Sequence, residues 1–368
     1  MAPTPPRRRR AASLALATLL ALGAVPACSS SPQPYWVSPD GDDAQSGRAP
    51  DQALASIQRA LELAMPGDEV RLAPGDYFED FETVRAGRPG EPIRIVGARG
   101  HLPTARASVI LGAGRSHIVD LRHDHIVLAD LVIDGLAGTA SQQEGYRSKL
   151  VYAKGPEDGS GITGLRLLRL ELRNAGTECV RLKYFAHHNE IADSIFENCG
   201  VWDFRFSRGK KNGEAIYIGT APEQLPRDFV AERDESDDNW VHQNWFRTNG
   251  NECIDIKEGS SRNLVEHNEC TGQLDPDSGG ISARGSDNRF RENRVFGNLG
   301  VGIRLGGDTP DDALRNEVTR NVLSDNRAGA LKVMALPQGE ICGNEIDARG
   351  APVVRGPGAK TIQPAAGC

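Results

Sequence analysis

The chain has 368 residues, a formal net charge of −7, 41 glycines and only 5% aromatic residues. Such a composition cannot fill several globular cores, and it favours one elongated unit with a slender core. The acidic charge argues against general nucleic-acid binding, because a nucleic-acid surface needs an extended basic patch.

The first 27 residues have the pattern of a secretory signal. Arginines at 7–10 precede an apolar run at 11–25, and this run is too short, and ends in residues too small, for a transmembrane helix. No later stretch reaches the length of a bilayer span, so we expect no integral membrane segment. Residues 1–27 contain four arginines and no acid, and their removal would leave a net charge of −11. The sequence therefore predicts export from a bacterial cytoplasm.

The end of this signal resembles the bacterial lipobox. Val25, Pro26 and Ala27 lead to Cys28, which would be lipidated at the new N-terminus, with residues 28–35 as a tether. An outer-membrane lipoprotein with a lipid anchor is the expected product. Pro26 is unusual at that place in the motif, so ordinary cleavage with full secretion stays open.

Residues 36–66 are predicted to form an N-terminal cap. The segment 56–65 has four apolar residues on one helical face, and Pro66 and Gly67 end it. These four residues are Ile57, Ala60, Leu61 and Ala64. A short helix here would cover the open core and the unpaired strand edges of a solenoid, although an ordinary surface helix would need the same residues. Weaker strand patterns follow at 70–72, 93–96, 126–133 and 165–172.

Asparagine recurs at a fixed spacing in the second half of the chain. The repeated form is Asn, any residue, an apolar residue, two further residues and Asn. Windows of this form begin at Asn239, Asn263, Asn288 and Asn316, and three of them extend to a third asparagine at Asn249, Asn298 or Asn326. Asparagine tolerates left-handed backbone conformations and bonds neighbouring backbone groups. Stacked at the same turn of successive coils, these side chains would form a hydrogen-bonded ladder.

A second repeated strand lies between these windows, and its period indicates the fold. Its central apolar residues are Val180, Ile216, Ile254, Ile281, Ile303 and Leu331, at intervals of 36, 38, 27, 22 and 28 residues. The shortest interval, 22 residues, suits a coil of about three short strands, and the extra residues in the longer intervals suit loops of variable length. We therefore predict an all-β chain, a single-stranded right-handed parallel β-helix over residues 67–350, with a C-terminal tail at 351–368. A capped solenoid needs no partner subunit, so a monomer is expected.

One outer face of this strand is predicted to be basic. If Ile254 and Ile256 point into the core, the period of two sends Asp255 and Lys257 outward. Six of the twelve equivalent outward positions are Lys or Arg: Arg181, Lys183, Lys257, Arg284, Arg304 and Lys332. Adjacent coils lie about 4.8 Å apart, which suits the successive acidic groups of an extended polysaccharide. The expected substrate-binding residues are Arg181, Lys183, Tyr217, Asp255, Arg304 and Lys332. The alternative is a solvated face whose charges pair with loop acids at 234–238.

Three glutamates occupy the same place, just before this strand, in consecutive coils. They are Glu178, Glu214 and Glu252, and like charges stacked so closely repel each other. A hard cation would relieve the repulsion, and Ca²⁺ takes oxygen ligands of this kind. Neutralisation by a neighbour such as Arg181 is an equal alternative.

Lys257 and Arg284 carry the catalytic prediction. They hold equivalent positions in neighbouring coils, so their charged ends should lie close together. A second cation lowers the pKa of a lysine and moves its amine toward use as a base near neutral pH. The reaction that needs this pair is β-elimination of a uronate, in which Lys257 removes the C5 proton and Arg284 assists at the developing charge or the leaving oxygen. Hydrolysis is less favoured, because it needs several carboxylates and Asp255 stands alone on its strand face.

Two stretches resemble known β-helix proteins. The segments YWVSPDGDDAQSG and SIQRALELAMPGDEVRLAPGDY look like the N-terminal cap of the bacterial pectin-lyase-like superfamily. Glu252, Lys257 and Arg284 match the pattern of the alginate lyase and chondroitinase B family, in which a Glu lies five residues before the catalytic Lys and an Arg follows on the next coil. This resemblance implies a polysaccharide lyase in which Ca²⁺ holds the substrate carboxylate. The family's other Glu would fall on Gly250. The strand ECIDIKEG is also similar to the lysine-bearing coil of a second, pectate lyase family, so pectate is an alternative substrate.

Six cysteines follow Cys28, an even number that permits disulfides in an oxidising compartment. Cys342 and Cys368 are the predicted pair, which would pin the C-terminal tail. Two function classes stay open: an exported lyase of acidic polysaccharides, and a non-catalytic β-helix that binds or displays glycan at the cell surface.

Overall fold

The computed structural model describes Met1 and residues 34–98, 107–114, 116–157, 159–228 and 233–368. The predicted signal at 2–27, the lipidation site Cys28 and residues 28–33 of the predicted tether lie outside the described residues. Within the described ranges, no helix has both the length and the apolar character that crossing a bilayer requires.

The chain coils repeatedly through three parallel sheets, contributing strands in the order sheet 1, sheet 2, sheet 3. Sheet 1 consists of Pro34–Val37, Glu69–Leu72, Ile93–Val96, Ile126–Ala129, Arg166–Leu168, Glu190–Ala192, Trp240–His242, Leu264–Glu266, Arg289–Arg291, Glu317–Thr319 and Ile341–Cys342. Sheet 2 consists of Gly75–Tyr77, Ser108–Ile110, Val132–Asp134, Glu171–Ala175, Ile195–Cys199, Trp245–Arg247, Glu269–Thr271, Arg294–Phe296, Val322–Ser324 and Glu345–Asp347. Sheet 3 consists of Phe81–Glu82, His117–Leu121, Lys149–Ala153, Val180–Leu182, Ile216–Ile218, Ile254–Ile256, Gly279–Ala283, Val301–Leu305, Gly329–Val333 and Val354–Arg355.

In the part of the chain that the structure describes, helices are few and short. The α-helices are Ile57–Leu63 and Val201–Phe204, and the 3₁₀ helices are Pro50–Gln52, Gln143–Gly145, Pro222–Asp228 and Pro357–Lys360. Ile57–Leu63 falls within the predicted helical segment, buries the predicted face of Ile57, Ala60 and Leu61, and begins at Ser56, whose hydroxyl accepts a bond from Arg59 N. Its role as a cap stays a prediction.

The pairing register of sheet 3 confirms the predicted fold. Val180 pairs with Ile216, which pairs with Ile254, and the same column continues in order through Ile281, Ile303 and Leu331. Every member of this column is fully buried in the central core. The irregular intervals therefore reflect loop length, while the strands keep one register.

Two predicted strands are each divided in the structure. The segment 126–133 forms one strand in sheet 1 and one in sheet 2, and Asp130 between them has a φ of 58°. The segment 165–172 divides in the same way at Arg169, with a φ of 53°. Asp130 and Arg169 lie at the same corner of successive coils, where both adopt a left-handed conformation that is uncommon for residues other than glycine, and they form an ion pair at 2.7 Å.

The asparagine ladder is confirmed at the corners between sheets. Asn268 accepts bonds at 3.0 Å from both the backbone N–H and the side-chain amide of Asn244. Its own amide donates to Asn293 Oδ1 and to the backbone carbonyls of Val241 and Glu266. A second column of stacked asparagines runs through Asn189, Asn239, Asn263, Asn288 and Asn316.

Replacing Asn268 with Ala should lower the free energy of unfolding by about 3 kcal/mol, because several buried partners lose their bonds at once. Urea unfolding followed by circular dichroism would measure the change. Asn212→Ala is the control, since Asn212 is exposed and bonds Asp203 through its backbone N–H. Equal stability losses in the two variants would contradict a stabilising ladder.

The predicted disulfide between Cys342 and Cys368 is present, with 5.1 Å between the Cα atoms. Two further disulfides, Cys179–Cys199 and Cys253–Cys270, each join the residue before a sheet 3 strand to a buried position in sheet 2. They fix the start of the strands that follow Glu178 and Glu252.

Candidate active site

The outer face of sheet 3 holds five of the six predicted substrate-binding residues in one row, together with Ser282. Arg181, Tyr217, Asp255, Ser282, Arg304 and Lys332 pair in that order across successive coils. A cavity of about 450 Å³ lies against this face. The basic residues of this face are little exposed to solvent, since Arg181, Lys183, Lys257 and Arg304 are only 6–8% exposed.

Glu178 is neutralised by cations rather than grouped with the other glutamates. Arg181 Nη1 lies 2.6 Å from Glu178 Oε1, and Lys149 Nζ lies 3.1 Å from Oε2. Although burial raises the pKa of Glu178, these two charges hold it well below its usual range. Of the two interpretations drawn from sequence, neutralisation by Arg181 is therefore correct for Glu178, and the structure gives it no place in a shared cation site.

The loop acids at 234–238 do not neutralise the face either. Asp234 accepts bonds from the backbone N–H groups of Tyr184 and Phe185, and Asp237 pairs with Arg262 at 2.7 Å. Acids on or next to the strands of this face instead pair with Arg181, Lys257 and Arg284: Glu178, Asp255 and Glu258 respectively.

Three carboxylates meet at the floor of the cavity. Oxygens of Glu214, Glu252 and Asp255 lie within 4.8 Å of one another, and all three residues are buried. Asp255, expected to reach outward to substrate, is only 1% exposed and lies in this group. Asp255 is the only acid in the row of paired strand positions from Arg181 to Lys332, as the sequence indicated. Glu214 and Glu252, which precede their strands, lie beside it, so the number of carboxylates does not count against hydrolysis.

Several oxygens at this floor have no hydrogen-bond partner among the described residues. They are Asn251 Oδ1, Glu252 Oε2 and Asp255 Oδ1. A buried polar atom without a partner is costly, and Ca²⁺ takes carboxylate and amide oxygens as ligands. The group therefore fits a hard cation.

The pKa values of the three carboxyls are shifted in different directions. Burial, together with the charges of Asp255 and Glu214, raises the pKa of Glu252 to about 8. Burial also raises the pKa of Glu214. Burial acts in the same direction on Asp255, but Lys257 and Arg284 outweigh it and lower the pKa of that carboxyl.

Without metal, the stability of the protein should fall as pH rises from 5 to 8. A carboxyl whose pKa rises on folding, as that of Glu252 does from 4.5 to about 8, keeps its proton in the folded state over a range where the unfolded chain has lost it. Glu252→Gln should remove this contribution. The difference in the free energy of unfolding, variant minus unmodified protein, should therefore be about 3 kcal/mol larger at pH 8 than at pH 5.

Urea unfolding in a chelating buffer at both pH values would measure this difference. Glu235→Gln is the control, because Glu235 is exposed and should leave the pH profile unchanged. Parallel profiles for Glu252→Gln and the unmodified protein would show that the Glu252 proton has no such effect.

Lys257 and Arg284 converge as predicted, through a shared partner. Lys257 Nζ lies 2.6 Å from Asp255 Oδ2, and Arg284 Nε lies 3.8 Å from the same oxygen. Lys257 Nζ also lies 4.3 Å from the centre of the Tyr217 ring. Arg284 contacts Glu258 at 3.3 Å as well.

The predicted pKa of Lys257 is wrong in direction. Burial and Arg284 do act to lower it, but the charge of Asp255, supported by Tyr217 and Glu214, outweighs them and raises the pKa above its usual value. The ligand-free protein therefore holds Lys257 as an ammonium at neutral pH.

Comparison with known families agrees with this architecture. A family model described as the right handed beta helix region matches residues 169–356. The chain belongs to the right-handed β-helix family. No curated protein matches its sequence.

Solved structures share the fold of this β-helix. The alginate lyase from Paenibacillus sp. str. FPU-7 superposes with a TM-score of 0.61 at 18% identity, over 81% of this chain and 96% of that one. Pectate lyase Pel9A superposes with a TM-score of 0.60 at 14% identity, over 88% of this chain and 82% of that one. The GH136 lacto-N-biosidase from Eubacterium ramulus superposes with a TM-score of 0.58 at 16% identity, over 88% of this chain and 65% of that one. Identities this low show the fold alone.

The local backbone explains why this β-helix departs from the expected glutamate pattern. A Cβ atom at Gly250 would lie 1.7 Å from the carbonyl oxygen of Cys199, so no side chain fits there without a backbone shift. Asp255 supplies the third carboxylate instead. Ile254 and Ile256 on either side of it are fully buried in the core, which turns Asp255 to the cavity side.

Asn251 and Ser278, which line the cavity, were missed by the sequence reasoning. Asn251 directly precedes Glu252, and Ser278 donates a hydrogen bond to Glu252 Oε1. Lys211 pairs with Asp275 at 2.8 Å, which joins two loops along one edge of the cavity. The position of Asn251 beside Glu252 was a usable signal, whereas the loop contacts join residues 64 positions apart.

Proposed function

We propose that this β-helix is an exported lyase that cleaves a uronate-containing polysaccharide by β-elimination. The observation that carries the proposal is the convergence of Lys257 and Arg284 on Asp255, beside a carboxylate group that fits a cation. The alginate and pectate lyases that share its fold are named for substrates of this class. The signal-like pattern at 1–27 supports export.

Lys257 is the proposed base. It removes the C5 proton of a uronate, the C4–O bond breaks, a C4–C5 double bond forms, and the leaving oxygen takes up a proton from Lys257 or water. Arg284, whose pKa Asp255 and Glu258 raise despite burial, stays cationic throughout and stabilises the negative charge that develops.

Glu214, Glu252 and Asp255, with Asn251, would hold Ca²⁺. The bound ion would neutralise the carboxylates, including the charge that keeps the proton on Lys257, and would bind the carboxylate of the substrate. Ser278 orients Glu252 for this role through its hydrogen bond. Arg304 and Lys332 line the same cavity and supply cationic contacts for the acidic polymer.

The test is incubation of the pure protein with alginate, pectate and glycosaminoglycans, with and without Ca²⁺. A lyase produces an unsaturated sugar, so ultraviolet absorbance rises as bonds are cut. The absence of any rise with all of these polymers would reject the proposal.

Hydrolysis is a second candidate, because two carboxyls here have opposite pKa shifts. The pKa of Glu252 is raised to about 8, so this carboxyl would donate a proton, while the pKa of Asp255 is lowered, so that carboxyl stays ionised. The acid and the nucleophile of a glycosidase differ in the same way. New reducing ends without ultraviolet absorbance would support it. Binding of a polyuronate without any cleavage would instead support the non-catalytic glycan-binding alternative.

A further inference from the structure

The outer face of sheet 3 is closed on one side of Lys257. Tyr217 lies in the coil before it, and Arg181 lies one coil further. The helix Pro222–Asp228 contacts both of these coils through Gln224. Gln224 of this helix accepts a hydrogen bond from Arg181 Nη2, and its amide nitrogen lies 3.5 Å from the Tyr217 hydroxyl oxygen. We call this group of Arg181, Tyr217 and Gln224 the end wall.

The end wall is held by further contacts. The Arg181 guanidinium carbon lies 4.1 Å from the centre of the Tyr217 ring, and Glu178 binds the same guanidinium from below at 2.6 Å. Leu225, next to Gln224, is buried. A sugar chain cannot continue across this face beyond Tyr217 without displacing these contacts.

On the other side of Lys257 the face continues. Ser282, Arg304 and Lys332 follow in register over three coils, a distance of about 14 Å at the spacing between strands. Arg284 and Lys332 are partly exposed and line the cavity. An acidic polymer therefore finds cationic side chains on this side and a wall on the other.

We infer that the protein cuts its substrate from one chain end, an inference that rests on the proposed lyase function. One coil, about 4.8 Å, separates Lys257 from Tyr217, so about one sugar residue fits between the broken bond and the end wall. The remaining polymer lies along Arg304 and Lys332. Each elimination releases a short product of fixed size. The C5 proton passes to Lys257 as the C4–O bond breaks, the C4–C5 double bond forms on the sugar that lost this proton, and the leaving oxygen is protonated.

The test follows absorbance, viscosity and product size together on the polyuronate that the protein cleaves. Cutting from an end predicts one short unsaturated product from the first time points, while the viscosity stays high. A ladder of oligosaccharides with an early fall in viscosity would overturn the inference and leave the lyase function standing. No absorbance with any polymer would reject the lyase function itself.

Gln224→Ala tests whether the end wall sets the product size. Loss of the bond to Arg181 should open the wall, so that longer unsaturated products accompany the short one. Glu235→Ala is the matched control, because Glu235 is an exposed residue of the same connection between strands and should leave the product size unchanged. An unchanged single product from Gln224→Ala would overturn the assignment of the end wall to this contact.

Discussion

Replacing Lys257 with Ala is expected to lower kcat/KM on the preferred polyuronate by about 10³-fold, the range that a positioned base contributes. Lys257 is 6% exposed and its amine lies 2.6 Å from Asp255, so little solvent can enter to replace it. Initial rates of ultraviolet absorbance, measured at saturating Ca²⁺, would give the ratio.

Lys183→Ala is the matched control. Lys183 occupies the equivalent strand position two coils earlier and is equally buried, but it is not among the described residues that line the cavity. We expect its loss to change the rate by less than about 10-fold, while both variants keep the circular dichroism of the unmodified protein. If Lys257→Ala retained full activity, elimination would depend on another base.

The register of the fold was predictable because the core positions follow a strict rule. A strand in a parallel β-helix buries alternate residues, so the apolar series from Val180 to Leu331 identifies the column that the structure contains. The asparagine corners were predictable for the same reason, since each side chain bonds its equivalent one coil away. Loop lengths do not disturb either pattern.

The electrostatics of the site were less predictable, because they depend on distances that alternation does not give. Asp255 and Lys257 lie two residues apart on one face, and this spacing could have indicated an ion pair that raises the pKa of the lysine. Glu178 matches Glu214 in sequence, yet it differs in environment because Lys149 comes from an earlier coil whose pattern is weak. The contact between Gln224 and Arg181 was hidden for a similar reason, since the two residues are separated by 43 positions.

Removal of the cation is expected to lower the rate by about 10² to 10³-fold, because the proposed ion stabilises charge in the transition state. Chelation followed by Ca²⁺ titration should restore activity in the unmodified protein. Glu252→Gln should bind Ca²⁺ at least 10-fold more weakly by calorimetry, since it replaces a carboxylate by a neutral amide.

Glu178→Gln provides the matched comparison for this effect. Glu178 holds the same position before its strand as Glu252, but Arg181 and Lys149 neutralise it. Its variant should therefore lose stability, because a buried cation is left without its partner, and should keep its Ca²⁺ affinity. Two variants that bind Ca²⁺ as tightly as the unmodified protein would remove Glu252 from the cation site, whereas weaker binding in Glu252→Gln alone would assign the ion to the cavity floor beside Lys257.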